Sequence, residues 1–253
     1  MAEIRKCTIC GKPYVEKVFK LKDYESRVFV AQCDCEENAR IEREKQKLEN
    51  ERKEKIRQKT GKLKDALNCP LVTPFFKSKT FDNLSDRNEH LKICQRYAQD
   101  FNKENFTGIF MVGNVGTGKT TLQACICNEL EKRGYICLLT TFSALLDYFI
   151  ESCSFESEIS TSKLFKILTD FDYIVLDDIG REKYTDKRLE FAFRIIDTLM
   201  NYNVVVSVTG NSETVQKLQK IEEYKAIIDR LADMCGHNMY FDGESYRGKK
   251  FNY

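Results

Sequence analysis

From residue 80 onward the sequence predicts an α/β fold, a doubly wound parallel sheet with helices on both faces. Three observations predict it. Short apolar runs alternate with longer stretches of helical character, the pattern of β–α units. One of those runs enters a glycine-rich turn that opens directly into a helix-forming stretch. No proline follows Pro74, so nothing breaks the elements from within.

In chain order, the first region is set by four cysteines, Cys7, Cys10, Cys33 and Cys35. The Gly11–Gln32 interval between them carries the apolar runs Val18/Phe19 and Val28–Val30, which predicts a hairpin. Glu36–Lys64 is dense in Glu, Lys, Arg and Gln and holds only one glycine, Gly61. These are good helix formers. Glu36/Arg40, Glu49/Lys53 and Glu51/Lys55 add pairs at i,i+4. Its aliphatic residues, Ile41, Leu48, Ile56 and Leu63, make a seam too thin for a buried helix, so a long, solvated helix is expected. Pro70 and Pro74 then mark a linker. Leu91–Phe101 reads as a helix and Thr107–Val112 as a strand. A helix follows over Lys119–Arg133, then a strand over Tyr135–Thr140. Phe142–Ser152 reads as a helix, the polar Ser152–Ser162 as a loop and Lys163–Leu168 as helical. Tyr173–Leu176 is a buried strand, Asp186–Asn201 a helix and Asn203–Thr209 a strand. Glu213–Gln219 and Glu222–Cys235 are helical, and Asn238–Phe241 is a short last strand. The expected organisation is a small module over residues 1–35, a charged helical arm over 36–67 and the α/β domain over 68–253.

The net charge of +2 divides unevenly. Residues 1–64 carry 18 Lys+Arg against 12 Asp+Glu, and the remainder 23 against 27. A basic arm and an acidic domain cancel, so the total does not exclude work on nucleic acid. The longest apolar runs, such as Gly108–Val112 and Val204–Val206, fall far short of the ~20 residues a membrane helix needs. Met1–Cys7 has no apolar segment of the signal-peptide kind. Reduced thiols and a cytoplasmic location are expected, with no membrane partner.

Gly113-Asn114-Val115-Gly116-Thr117-Gly118-Lys119-Thr120, followed by Thr121, fits G-x-x-x-x-G-K-[ST]. Glycines let backbone N–H groups close on phosphates without a Cβ in the way. The helix that follows presents its N-terminus to the anion. Lys119 is suited to the β- and γ-phosphates as a point charge, and the Thr120 hydroxyl to Mg²⁺. Tyr173-Ile-Val-Leu-Asp177-Asp178 is an apolar strand ending in two acids. Asp177 is expected to hold Mg²⁺ and Asp178 to polarise the attacking water, since a carboxylate engaged as a ligand is a poor base. Asn211 ends the Val204–Val208 strand region, at the side of a doubly wound sheet where ligands bind. It either reaches the γ-phosphate or caps the next helix. Arg230 and Arg247 stand near the C-terminus; each is either a surface arginine or a neutraliser of transition-state charge.

Together these motifs resemble the AAA+ ATPases of the DnaC/DnaI type, the replicative-helicase loaders, whose branch also holds the IstB-type transposition helpers. The resemblance runs from about Pro70 to the end. It rests on Thr80-Phe-Asp-Asn83, Val112–Thr121, Val175–Gly180, Thr209-Gly-Asn211, Ile228-Asp-Arg-Leu231 and Ser245-Tyr-Arg247. It implies Lys119 and Thr120 as Walker A, Asp177 and Asp178 as Walker B, and Asn211 as sensor 1. It also implies Arg230 as an arginine finger acting in trans, Arg247 as sensor 2, and a helical lid that is largely missing. One departure is Asp197-Thr-Leu-Met200, where Leu199 stands at a position that is often arginine in relatives.

Cys7-x-x-Cys10 and Cys33-x-Cys35 offer four thiolates, enough for a structural Zn²⁺, although the second pair is shorter than the usual C-x-x-C. The resemblance supports this, because several loaders carry an N-terminal zinc module that docks on the helicase. The other seven cysteines read as small core residues. The expected cofactors are ATP, Mg²⁺ and Zn²⁺. The expected partners are a replicative DNA helicase, single-stranded DNA and further copies of this chain. Three alternatives stand beside the loader: a transposition helper, which generally lacks a zinc module; a small-molecule or nucleotide kinase, which predicts an arginine-rich lid that Ser152–Ser162 does not supply; and a zinc adaptor without catalysis, against which the intact Asp177 and Asp178 speak.

Overall fold

The structure is a computed structural model of the chain and describes residues 6–21, 24–67, 69–84, 90–154, 157, 159–180 and 185–246. The chain forms two compact units, residues 1–57 and 58–253.

In the first unit, Tyr14–Leu21 (β1) and Tyr24–Ala31 (β2) pair antiparallel, with Tyr14 opposite Ala31 and Val18 opposite Arg27. β-branched and aromatic residues suit such a pleated ribbon. The long helix α1, Cys35–Leu67, begins in this unit. Its charged side chains pair along the surface: Lys53 with Glu49 at 2.7 Å, Arg57 with Glu54 at 2.9 Å, and Arg40 with Glu37 and Glu44. Ile41 and Leu48 stay exposed.

The last turns of α1 belong to the second unit, and there the expectation of a solvated helix is corrected. Leu63 and Leu67, four residues apart on one helix face, are buried. The expected linker is also corrected. Leu71 and Val72 are buried, and short helix α2, Pro74–Lys77, follows with its proline in the first turn. A 3₁₀ turn over Phe81–Asn83 leads to helix α3, Leu91–Asp100.

The sheet has five parallel strands, Ile109–Gly113 (β3), Cys137–Thr141 (β4), Tyr173–Ile179 (β5), Val205–Asn211 (β6) and His237–Phe241 (β7), in the order β4-β5-β6-β3-β7. Helix α4, Lys119–Lys132, follows β3; α5, Phe142–Glu151, and α6, Thr161–Leu168, lie between β4 and β5. Helix α7, Asp186–Asn201, joins β5 to β6, and α8, Ser212–Leu218, with α9, Glu222–Met234, joins β6 to β7. The central strands β3, β5 and β6 are buried almost end to end, as parallel strands covered on two faces must be, whereas edge strand β7 exposes His237, Asn238 and Tyr240. Tyr173, Val175, Val205, Ile109 and Met111 pack with Leu122, Ile126 and Leu130 of α4 and with α3. Helices α5, α7 and α9 pack on one another and, through α5 and α9, on the sheet. At the open edge, Leu139 of β4 donates its N–H to the Leu71 carbonyl at 2.8 Å, which explains why the supposed linker is buried.

This order sets the ligand position. The chain leaving β3 runs through α4 toward the β4 edge, whereas the chain leaving neighbouring β6 runs through α8 and α9 toward β7. Adjacent strands whose connections run in opposite directions send them over opposite faces and open a crevice at their carboxyl ends. Gly113 and Asn211 are register partners there.

Candidate nucleotide site

The loop from Gly113 to Gly118 lies in that crevice. Gly116 and Gly118 have φ of +80° and +91°, and Gly118 stands immediately before α4. Only glycine adopts such values freely. A Cβ on Gly113 would come within 2.0 Å of the Phe241 carbonyl oxygen, so this glycine is required by the neighbouring strand. The C-terminal segment holds the loop: Asn114 donates its N–H to Phe241 O at 2.7 Å and its side-chain amide to Asp242 O at 3.2 Å. Tyr246 donates its N–H to Gly116 O at 2.9 Å. Arg247 lies outside the described residues, one position beyond that bond.

Lys119 folds over the loop, its Nζ donating to Asn114 O at 2.6 Å and Gly113 O at 3.0 Å. The first turn of α4 and the end of β5 meet through Thr120, whose hydroxyl donates to Asp177 Oδ1 at 2.7 Å. Thr209 of β6 donates to the same oxygen at 2.6 Å and accepts from the Asp178 N–H at 2.9 Å. Burial raises the pKa of Asp177, and the Thr209 and Thr120 hydroxyls oppose it. Asp178 has φ of +58°, uncommon for a non-glycine residue, and its side chain is half-exposed beside the buried Asp177. The turn separates the two acids: Asp177 faces inward to the hydroxyls, and Asp178 is partly exposed.

The donor set fits Mg²⁺. Octahedral Mg²⁺ with bonds of ~2.1 Å has ligand oxygens ~2.9 Å apart. Thr120 Oγ1 and Asp177 Oδ1 stand 2.7 Å apart, close to that spacing.

Asn211 is at the predicted strand end. Its Oδ1 accepts from the Glu213 N–H at 2.9 Å, so the capping role is made. Arg230, on α9, pairs with Asp197 of α7 and lies over the Phe193 ring at 5.3 Å. Among the predicted residues, those of the phosphate loop, Asp177, Asp178 and Asn211 converge. Arg230 is instead engaged on the α7–α9 surface.

A family profile described as IstB-like ATP binding protein matches residues 37–252. The chain belongs to that family. It is 27% identical over 197 residues to the replicative helicase loader DnaC of Buchnera aphidicola subsp. Acyrthosiphon pisum, spanning 75% of this chain and 77% of the relative. It is 26% identical over 198 residues to DnaC of Escherichia coli (strain K12), spanning 74% and 77%. Among solved structures, a DnaC helicase loader superposes with a TM-score of 0.57 at 19% identity over 67% of this chain and all of that one. DnaI superposes at 0.55 with 21% identity over 70% and 94%. The replication initiator DnaA bound to AMPPCP and single-stranded DNA superposes at 0.55 with 19% identity over 68% and 51%. The ATP-binding family member thus has the P-loop AAA+ fold and is of the DnaC type, as the motifs imply.

In the first unit the Sγ atoms of Cys7, Cys10, Cys33 and Cys35 all lie within 4.8 Å of one another. A tetrahedron with Zn–S bonds of ~2.3 Å has edges of ~3.8 Å, so the cluster fits Zn²⁺. Gly11, at φ +74°, closes the turn: its N–H donates to Cys7 O at 3.0 Å and Cys7 N–H donates to Lys12 O at 2.8 Å. A Lys12 backbone hydrogen bond and the Cys33 thiol bring Cys10 down to about 7. The short C-x-C spacing is explained by Cys35 standing at the first position of α1.

Sequence reasoning missed Thr209 as a partner of both acids, although it lies in the Thr-Gly-Asn motif. It also missed Gln123, Tyr173 and Ser207, which carry no local signal. Among the described residues, no helix is long and apolar enough to cross a membrane.

Proposed function

We propose that the protein is an ATP-dependent loader that binds a replicative DNA helicase and places it on single-stranded DNA. The observation that carries the nucleotide half is the Thr120–Asp177 pair beside the glycine loop at the switch point. The helicase half is supported by the DnaC relatives, which span about three quarters of this chain.

In this reading the loop N–H groups and Lys119 bind the triphosphate, and Lys119 exchanges its backbone carbonyls for phosphate oxygens. Thr120 and Asp177 hold Mg²⁺. When bound, that ion neutralises charge between the β- and γ-phosphates. Asp177 is held by the hydroxyl pair, and Asp178 orients the attacking water and accepts its proton. Asn211 stands across from Gly113, within the crevice, as sensor of the γ-phosphate. Arg230 acts on the site of a neighbouring copy, and Arg247 on its own. Hydrolysis to ADP and phosphate releases the loader, and it is slow in a monomer because the arginine comes from elsewhere. Cys7, Cys10, Cys33 and Cys35 hold Zn²⁺, and that module with α1 meets the helicase.

The test uses the full chain, the replicative helicase of the same cell and a single-stranded DNA circle. Wild-type protein with ATP delivers helicase to the circle, and Lys119→Ala binds ATP at least ~10-fold more weakly and delivers none. Normal ATP binding and loading by Lys119→Ala overturns the mechanism. Recovery of a transposase in place of a helicase on co-purification moves the assignment to the IstB-type helpers.

A further inference from the structure

Two side-chain bridges connect α4, β5 and β6, and only the upper one belongs to the site described above. The upper bridge is Thr120–Asp177–Thr209. The lower is Gln123–Tyr173–Ser207. The Tyr173 hydroxyl lies 2.8 Å from Gln123 Oε1 and 2.6 Å from Ser207 Oγ. Ser207 Oγ also accepts the Ile109 N–H of β3 at 2.8 Å. The donor count fixes one direction: Ile109 N–H to Ser207, Ser207 O–H to Tyr173, and Tyr173 O–H to Gln123.

The spacing ties the two bridges together. Thr120 and Gln123 are three apart on one face of α4. Asp177 and Tyr173 are four apart, and Thr209 and Ser207 two apart, each pair on one face of the sheet. Ile109 is four residues before Gly113. The lower bridge therefore touches every element that carries a phosphate-site group, one layer beneath it. Gln123, Tyr173 and Ser207 are fully buried. Burial keeps the Tyr173 phenol neutral, and so a donor. Gln123 Nε2 has no hydrogen-bond partner among the described residues. An apolar residue avoids that desolvation, so packing alone gives no reason for glutamine here.

We infer that Gln123 and Tyr173 are positioning residues for the Mg²⁺ pair: their hydrogen bond fixes where α4 sits along β5, and so where Thr120 meets Asp177. This rests on the reading of Thr120 and Asp177 as the Mg²⁺ ligands.

The experiment compares full-length wild type, Gln123→Met and Tyr173→Phe. Both variants keep the bulk of the side chain and remove the bond. A fluorescent ATP analogue is bound at increasing Mg²⁺, with a parallel titration in EDTA and a melt of each protein. Direct outer-shell partners of a metal cost ~10–100-fold in affinity, and one layer further out about fivefold is expected in the half-saturating Mg²⁺ for both variants. Binding in EDTA stays as in wild type, and Gln123→Met melts close to wild type, because losing the unpartnered amide offsets leaving the Tyr173 hydroxyl without its acceptor. An unchanged Mg²⁺ requirement in either folded variant, or equal weakening with and without Mg²⁺, overturns the inference. Asp177→Asn separates the two readings. If it leaves Mg²⁺ dependence intact, the ligand assignment is wrong; if it abolishes it while Gln123→Met and Tyr173→Phe do not, only the positioning role falls.

Discussion

The two compact units hold themselves together by different means. Residues 58–253 bury a five-stranded sheet between helical layers, with Phe101, Met111, Leu122, Ile126 and Tyr173 at 1% exposure or less. In residues 1–57 the hairpin leaves Val18, Phe19, Val28 and Phe29 about half exposed, and Cys7 is the only buried apolar residue described there. A two-stranded hairpin with no packed face is marginal in water. What gathers its ends is the four-thiol cluster. One unit is thus stabilised by excluded water, whereas the other brings together four thiols that fit a Zn²⁺ ion. Their responses to solution conditions should differ accordingly.

Removing the metal gives the largest effect. Structural Zn²⁺ contributes ~10–16 kcal/mol in small domains, far more than a hairpin supplies for itself. Purified protein should carry one equivalent of Zn²⁺. Chelation or Cys10→Ser should collapse amide protection across β1 and β2 while the main thermal transition stays in place. Metal-free protein with a protected hairpin, or a main transition that falls with the hairpin, would erase the contrast between the units.

The same contrast separates what was legible in the sequence from what was not. Local chemistry was legible. The glycines of the phosphate loop announce positive φ, and the two acids after an apolar run announce a strand end. The bounds of α7 emerge as read because Thr185 caps its start by accepting the Arg188 N–H. Strand bounds moved by about two residues, because a hydrophobic run does not say where its ladder begins. The residues around Pro70 and Pro74 read as linker, since nothing local reveals that Leu71 closes the β4 edge. The Gln123–Tyr173–Ser207 bridge joins positions 50 and 34 residues apart. Such a bridge exists only after the sheet order is set, and Tyr173 by itself looks like one more aromatic in an apolar strand.

Asp177 sharpens the comparison from within the second unit, because it is a charge the core tolerates at a cost. Burial raises its pKa, so between the ordinary carboxylate value and the raised one the folded state holds more protons than the unfolded. Stability then falls as pH rises through that window. Asp177→Asn keeps an oxygen for Thr120 and Thr209 and removes the charge. It should raise the Tm near neutral pH without ligand and flatten this part of the pH dependence. ATP with Mg²⁺ should raise the Tm of wild type more than that of the variant, which keeps only the loop and Lys119 for the nucleotide. Melts across pH, with and without ligand, read both. A variant that melts lower than wild type at neutral pH would show that the core does not resist this charge.

The smallest effect lies on the surface of the same unit, at Asp197 and Arg230. Both side chains are about half exposed, 52% and 43%. Exposed ion pairs contribute ~0–1 kcal/mol, so Asp197→Asn should leave the melt within about 4 °C of wild type. Its functional effect has the same ceiling. If Arg230 serves the site of a neighbouring copy, it must leave Asp197 to do so, and the pair opposes assembly by no more than ~1 kcal/mol. Freeing it can raise concentration-dependent ATP turnover by at most about fivefold. Arg230→Ala should abolish that turnover while leaving ATP binding by the monomer intact, since Arg230 takes no part in its own loop. The two variants therefore move turnover in opposite directions with unchanged folding. A pair of variants that both lower it would place Asp197 in the assembled site as a partner of Arg230, rather than as the residue that holds Arg230 away from it.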